Sequence, residues 1–208
     1  WRATKRFYIL IHRTWFDHLI ITTLKLTRIP FFQRFHYLPY AVAAQDSIKK
    51  IPLLKLIEDF KVVVPISRDG RPTEGAVTIR EILRLSDQGY NIMMAQSRGR
   101  EFKAVKEGLV YTPKQRPLRK FEETCGLIAI RKGVETVVIG IDGLEKMFEV
   151  IIIGKEKGMW LSPWKILGLL FWYKITITVS KPMKLAGLNR RKATKVLQEV
   201  GMQIVDMS

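Results

Sequence analysis

The sequence predicts an α/β fold: a single domain over residues 1–208, with a largely parallel sheet of roughly seven strands flanked by helices. Three observations predict it. Short β-branched or apolar runs alternate with segments of helical period along the chain. Several of those runs, such as Val62-Val63-Val64 and Val137-Val138-Ile139, are continuously apolar, as strands covered on both faces are. Length and composition suit one sizeable core, since 208 residues carry 47% hydrophobic and 26% charged side chains. Such a composition argues against a disordered chain.

Taken in order, Phe7–His12 is the first strand. Thr14–Leu26 follows as a helix, because Thr14-x-x-Asp17 ahead of Leu19-Ile20-Ile21 is a capping-box start. Tyr40–Ala44 is a strand, Ser47–Phe60 a helix opened by Asp46-Ser47, and Lys61–Ser67 a third strand. Thr73–Gln88 is a helix stopped by Gly89, and Asn91–Ala95 a strand. Pro117–Lys132 has a helical pattern stopped by Gly133. Strands are then expected at Glu135–Ile141, Phe148–Gly154 and Tyr173–Ser180, before a last helix over Asn189–Val200 stopped by Gly201.

Some chemistries are disfavoured at once. The lone Cys125 leaves no internal disulfide and no cysteine-rich metal site, and with no Cys/His cluster zinc is not expected. The basic start Trp1-Arg2-Ala3-Thr4-Lys5-Arg6 does not resemble a cleaved signal peptide, because Arg13 and Asp17 break the apolar segment after it, and none is expected there. The chain opens without a methionine, which leaves room for an upstream segment.

Thirty-six Lys and Arg against 19 Asp and Glu give a net charge of +17, so a polyanionic partner is expected. The arrangement favours an anionic membrane surface over nucleic acid. Around Arg28 and Arg34 the run Arg28-Ile29-Pro30-Phe31-Phe32-Gln33-Arg34-Phe35-His36-Tyr37 mixes bulky aromatics with cations. Met159–Lys174 does the same with Trp160, Trp164, Leu169 and Phe171. Trp, Tyr, Lys and Arg around an apolar patch suit the headgroup level of a bilayer. This second stretch is shorter than the roughly 20 apolar residues needed to span one. The same residues would also suit an ordinary core helix plus a strand. No RNA- or DNA-binding signature accompanies the charge, and no nucleic acid is expected as a partner.

The most informative stretch is Ile9-Leu10-Ile11-His12-Arg13-Thr14-Trp15-Phe16-Asp17, an apolar strand delivering a histidine with an aspartate five positions on. The aspartate would hold the imidazole in the tautomer whose free nitrogen takes a proton from an alcohol. On one helix, positions i and i+5 lie about 140° apart, so the pair converges only if His12 precedes a helix and Asp17 lies near its first turn. The plainer account makes Asp17 half of a capping box and His12 a core histidine. In parallel α/β sheets, ligands gather at the carboxyl ends of strands. His12 closes the first strand, Arg68 lies just past the third, and Gln96–Arg100 follow the fourth, so three polar clusters converge on one edge. Arg68-Asp69-Gly70-Arg71 and Ser97-Arg98-Gly99-Arg100 set arginines beside a glycine, where guanidinium forks and backbone N–H groups can grip a phosphate. The first of these also reads as a simple surface turn.

Together these features resemble the glycerol-phosphate and lysophosphatidate acyltransferase family over nearly the whole chain. The likeness rests on several segments. These are the strand ending in His-x4-Asp, Lys49-Lys50-Ile51-Pro52-Leu53-Leu54, and the strand Val62-Val63-Val64-Pro65-Ile66-Ser67 leading to Arg68-Asp69. Gln88-Gly89-Tyr90, the Arg/Gly loop, Val105-Lys106-Glu107-Gly108 and the closing Lys174–Pro182 complete it. The resemblance implies a glycerol-phosphate acyltransferase-like fold. The implied reaction moves a fatty acyl group from an acyl-CoA or acyl-carrier-protein thioester to a hydroxyl of a glycerol-phosphate-type or lysophospholipid acceptor. It further implies the base-and-orienter role for His12 and Asp17, and binding of the acceptor's phosphate by Arg68 and Arg100, with Arg98 beside them. No metal or resident cofactor is implied, the thioester being a substrate. The implied location is a membrane surface on the cytoplasmic face, with peripheral or anchored attachment.

Two departures stand out. Ile11 occupies a position where the family usually has Asn or Ser, and Arg98 falls where a glutamate of its Glu-Gly-Arg block belongs. An acid replaced by a base reverses local charge, which points to a more anionic acceptor or to impaired activity. The alternative reading is accordingly a catalytically impaired family member acting as a lipid-binding protein. For the active enzyme, the expected chemistry is direct transfer, with no Gly-x-Ser-x-Gly elbow and no covalent intermediate.

Overall fold

The structure, a computed structural model, describes residues 5–11, 39–44, 63–66, 72–97, 108–143, 148–153, 156–161 and 175–207. Its strands are β1 (Lys5–Ile11), β2 (Tyr40–Ala44), β3 (Val63–Ile66), β4 (Ile92–Ala95), β5 (Leu109–Tyr111), β6 (Pro117–Arg119), β7 (Val134–Asp142), β8 (Phe148–Ile153), β9 (Glu156–Leu161) and β10 (Thr176–Val179). The helices are α1 (Pro72–Asp87), α2 (Glu123–Ala129) and α3 (Arg190–Met207). The expected helices over Thr14–Leu26 and Ser47–Phe60 lie outside the described residues.

The architecture is α/β with a mixed, mostly parallel sheet of six strands in the order β10-β7-β1-β4-β2-β3. β1 runs parallel to β7 on one side (Lys5↔Val134 to Ile11↔Gly140) and to β4 on the other (Phe7↔Ile92 to Leu10↔Ala95). β2 is parallel to both β4 and β3, and β10 alone is antiparallel, closing the β7 edge.

Strict alternation sorts the strand residues between two faces. Phe7, Ile9 and Ile11 join Val42, Val64, Ile92, Met94, Val134 and Val138 in the larger core, which Ile82 and Leu85 of α1, the helix α2 and the α3 stripe Ala193, Leu197, Ile204 and Val205 cover. Leu10, Met93, Val137, Ile139 and Ile141 form the core of the opposite face, with Ile175 and Ile177 packed on it. The central strand is therefore buried on both sides: Phe7, Ile9, Leu10 and Ile11 are at most 1% exposed. Each such side chain stabilises the fold by about 1.5–3 kcal/mol relative to exposure.

Glycines set how closely the helices approach. A Cβ on Gly140 of β7 would sit 2.6 Å from Ile204, so the missing side chain lets α3 lie on the sheet. A Cβ on Gly126 of α2 would meet the Arg190 carbonyl oxygen at 2.5 Å and collide with Thr194, so α2 and α3 cross backbone to backbone there.

Three sequence expectations are corrected. The sheet has six strands, because the apolar run at Phe148–Ile153 pairs with β9 in a separate antiparallel ribbon. A local partner two residues away closes a far smaller loop than a distant sheet edge does. Pro117–Lys132 is not one helix: Pro117–Arg119 is a strand paired with β5, and the helix begins at Glu123. Thr112-Pro113-Lys114-Gln115 is a turn, closed by the Gln115 amide donating to the Thr112 carbonyl at 2.8 Å, and it folds the chain back as a hairpin. Proline in the second position of such a turn is pre-set for it. The last helix does not stop at Gly201 but runs to Met207. Gly201 is there for space, since a Cβ would lie 2.8 Å from the Phe121 ring. Gly89, by contrast, does follow the end of α1 with a positive φ of +96°, whereas α2 ends at Ala129 and Gly133, φ +79°, lies in the turn before β7.

Candidate functional site at the carboxyl edge of the sheet

Parallel pairing sends the carboxyl ends of β1, β2, β3, β4 and β7 to one edge. β1 and β4 end level there, and the ladder continues past β4 as the Gln96 amide donates to the Leu10 carbonyl at 3.0 Å. Ile11, the last residue of β1, pairs with Gly140 on its other side. Gln96 is fully buried, and Ser97 follows it half-buried.

The start of α2 docks on the end of β4. The Glu122 amide donates to the Gln96 carbonyl at 2.8 Å, and the Cys125 thiol lies 3.7 Å from the same oxygen. Cys125 has no exposed surface; burial, then the nearby Glu122 carboxylate, pushes its thiol up to about 12. It is thus protonated and walled off at neutral pH, and it is not a nucleophile. Because the folded form holds its proton more tightly than the unfolded chain, Cys125 adds stability that is complete below the usual thiol range. That stability is lost as pH rises from about 9 towards 12. Denaturant midpoints are expected to fall between pH 9 and 10 in the native chain and less steeply in Cys125→Ala. Equal slopes would remove this assignment.

A polar clamp fixes the β5–β6 hairpin beside this edge. At its turn, Thr112 Oγ1 donates to Asp206 Oδ1 of α3 at 2.5 Å, and Lys114 Nζ donates to the Asp206 carbonyl at 2.9 Å. Arg116 reaches the Val205 carbonyl and pairs with Asp142, the last residue of β7, at 3.4 Å. Gln115 takes the left-handed φ of +60° that lets the turn close. The other end of the hairpin is tied by the Lys120 amide donating to the Gly108 carbonyl at 2.8 Å.

Between hairpin, β4 end and α2 lies an open groove of about 330 Å³, lined by Ser97, Gly108, Arg119, Lys120, Phe121, Glu122 and Glu123. Glu123 is engaged by Arg190 at 2.6 Å and Arg191 at 3.8 Å. The groove therefore sets Arg119 and Lys120 beside two carboxylates, of which Glu123 is also paired with α3. Arg119 and Lys120 were not foreseen from the sequence, because the helical reading of Pro117–Lys132 hid them. The turn signature at Thr112–Gln115 could have revealed the hairpin that carries them.

Of the residues expected to form the site, His12, Asp17, Arg68, Arg98 and Arg100 lie outside the described residues. So do Arg28, Arg34, Trp164 and Phe171. The described part of the first strand is Lys5–Ile11. Trp160 lies on β9, a strand of the antiparallel ribbon. Among the described residues no group of three or more His, Cys, Asp or Glu could hold a metal ion, and no helix is long and apolar enough to cross a membrane. The sequence matches no protein-family model and no curated protein.

Proposed function

We propose that this protein is a membrane-surface acyltransferase, moving a fatty acyl group from an acyl-CoA or acyl-carrier-protein thioester to a hydroxyl of a glycerol-phosphate-type or lysophospholipid acceptor. The observation that carries the reading is the level, parallel ending of β1 and β4, hydrogen-bonded through Gln96 and Leu10. Those two strands immediately precede, in sequence, the His12…Asp17 pair and the Arg98-Gly99-Arg100 loop. A base and a phosphate grip following neighbouring strand ends suit an acceptor that carries both a hydroxyl and a phosphate.

In the proposed mechanism His12 removes the proton of the acceptor hydroxyl as the oxygen attacks the thioester carbonyl. Asp17 stabilises the imidazolium that forms, the tetrahedral intermediate collapses with loss of the thiol, and the imidazolium returns its proton to the leaving sulfur. Arg68, Arg98 and Arg100 hold the acceptor phosphate. The buried, protonated state of Cys125 agrees with a route that has no thiol-bound acyl intermediate. The deciding experiment incubates the protein with labelled acyl-CoA, mixed vesicles and a panel of glycerol phosphate and lysophospholipid acceptors, and reads acyl esters by mass spectrometry. Vesicle binding without any ester formed would favour the second reading, a lipid-binding protein, which Arg98 in place of an acid already favours.

The net charge of +17 supports attachment to an anionic cytoplasmic membrane face. Co-sedimentation with vesicles is expected to rise with anionic lipid and to weaken with salt, since screening acts beyond about 8 Å at physiological ionic strength. Charge reversal at Arg28 and Arg34 should matter mainly at low salt, whereas Trp160→Ser with Trp164→Ser should weaken binding even at high salt. Protein left in the supernatant with anionic vesicles at low salt would end the membrane assignment.

A further inference from the structure

We propose that the outer face of the β5–β6 hairpin, together with the last turn of α3, is the surface that meets an anionic bilayer, turning the carboxyl edge of the sheet towards the lipid. This rests on the membrane assignment above and names the face that carries it. Register gives the ribbon two faces. Val110 opposes Leu118 and both turn inward, Leu118 fully buried and Val110 packed against the main core. Tyr111 opposes Pro117, and this pair stands on the other face, where both are exposed. Tyr111 is 59% exposed and Met207, at the end of α3, 67%; they are two of the three most exposed large apolar side chains among the described residues. The turn brings them to one end of the molecule, since Thr112 donates to the Asp206 carboxylate and Lys114 to the Asp206 carbonyl oxygen.

Charge and area choose the occupant. Residues 108–121 hold Lys114, Arg116, Arg119 and Lys120 and no Asp or Glu, and the two lysines are exposed. The carboxylates nearest the hairpin are engaged: Asp142 by Arg116, Asp206 by Thr112, and Glu123 by Arg190 and Arg191, while Glu122 lies at the groove end. A stable protein–protein interface covers about 800 Å² on each partner, far more than Tyr111, Pro117 and Met207 offer. A bilayer asks only that a few aromatic and apolar side chains enter the headgroup level with lysines around them. The net charge of +17 supplies the long-range attraction, and the hairpin selects which face lands. Clamped to Asp206 and Asp142 at its turn and tied by Lys120 to Gly108 at its base, the hairpin presents these side chains at little ordering cost. Asp142 is the last residue of β7, so landing there brings headgroups to the edge where His12 and Arg98 follow the strand ends in sequence.

The test places one environment-sensitive fluorophore on the full chain. Cys125 is the one cysteine of the sequence and is fully buried, so the thiol introduced by Tyr111→Cys is the accessible one. With mixed phosphatidylglycerol–phosphatidylcholine vesicles its emission should shift to the blue and intensify. The same label on Gln88→Cys, exposed at the opposite edge between α1 and β4, should not respond. In co-sedimentation, Tyr111→Ser with Met207→Ser should weaken binding to these vesicles by roughly tenfold, through lost apolar contact. Thermal unfolding should not move, both side chains being exposed. Vesicle binding with a silent label on the hairpin, or equal responses at the two positions, would overturn the proposal while the membrane assignment stands. A dimer in vesicle-free solution that Tyr111→Ser dissolves would also overturn it, giving the face to a second copy. Absence of vesicle binding would end both. A responding hairpin label in a chain that makes no acyl ester would sink the acyltransferase reading and keep the docking face.

Discussion

Replacing His12 with alanine is expected to lower acyl transfer by about 10²–10⁴-fold, the usual contribution of a positioned general base. The loss should fall mainly on kcat, since the imidazole acts on the proton that moves in the transition state rather than on ground-state binding. Asp17→Asn should also reduce turnover severely, because an amide cannot stabilise the imidazolium by charge and can hold the ring in the wrong tautomer. Initial rates with saturating acyl-CoA and acceptor, on protein shown to be folded by circular dichroism, provide the measurement. Near-normal turnover in folded His12→Ala would remove the mechanism.

Gly126→Ala is expected to destabilise the protein by about 1–3 kcal/mol or more, an unusually large effect for one added methyl group. The new Cβ would stand 2.5 Å from the Arg190 carbonyl oxygen and would collide with Thr194 Oγ1, which donates to that same carbonyl at 2.9 Å. Backbone cannot retreat as a flexible side-chain end can, so α3 must shift. Moving α3 disturbs Leu197, Ile204 and Val205, all at most 2% exposed, and the Arg190–Glu123 pair with them. Gly75→Ala is the matched control. Gly75 lies in α1 with nothing within 4 Å of its added Cβ, so alanine there should stabilise by roughly 0.4–1 kcal/mol. Urea unfolding of the two variants should move the midpoint in opposite directions. Equal midpoints would show that α2 and α3 do not cross as described.

Much of the sheet was legible because its strands are buried on both faces and therefore read as unbroken apolar runs. Val137-Val138-Ile139 and Ile92-Met93-Met94 belong to β7 and β4, and Phe7–Ile11 of the expected first strand belongs to β1. What the runs do not encode is partner choice. Phe148–Ile153 looks like a sheet strand and pairs in a ribbon, because the selecting factor is how soon a partner follows. The β5–β6 hairpin was invisible for a different reason. Of β6 only Leu118 is buried, so three residues carry no usable period, and Pro117 mimics a helix start. Gly201 misled in the same way, since a glycine that ends a helix and one that admits the Phe121 ring are spelled alike. Of the candidate site, the edge was legible through strand direction. Arg119 and Lys120 were not, because a helical reading of Pro117–Lys132 hides the strand pairing that carries them to the groove.

The position of β1 has a consequence for how the chain is made. Both of its partners come later, β4 at residue 92 and β7 at residue 134, so a strand buried on both faces is made before either of its neighbours. At roughly 5–20 residues per second, the roughly 120 residues between Ile11 and Val134 take on the order of 6–25 s to synthesise. Throughout that interval Phe7, Ile9, Leu10 and Ile11 have no native neighbour on the β7 side. Such delay makes the nascent chain a natural client for chaperones that shield apolar segments, and it favours slow synthesis at low temperature for recovering soluble protein. Basic Lys5 and Arg6 at the head of β1 serve as gatekeepers there, their charges discouraging the premature pairing of one unfinished copy with another.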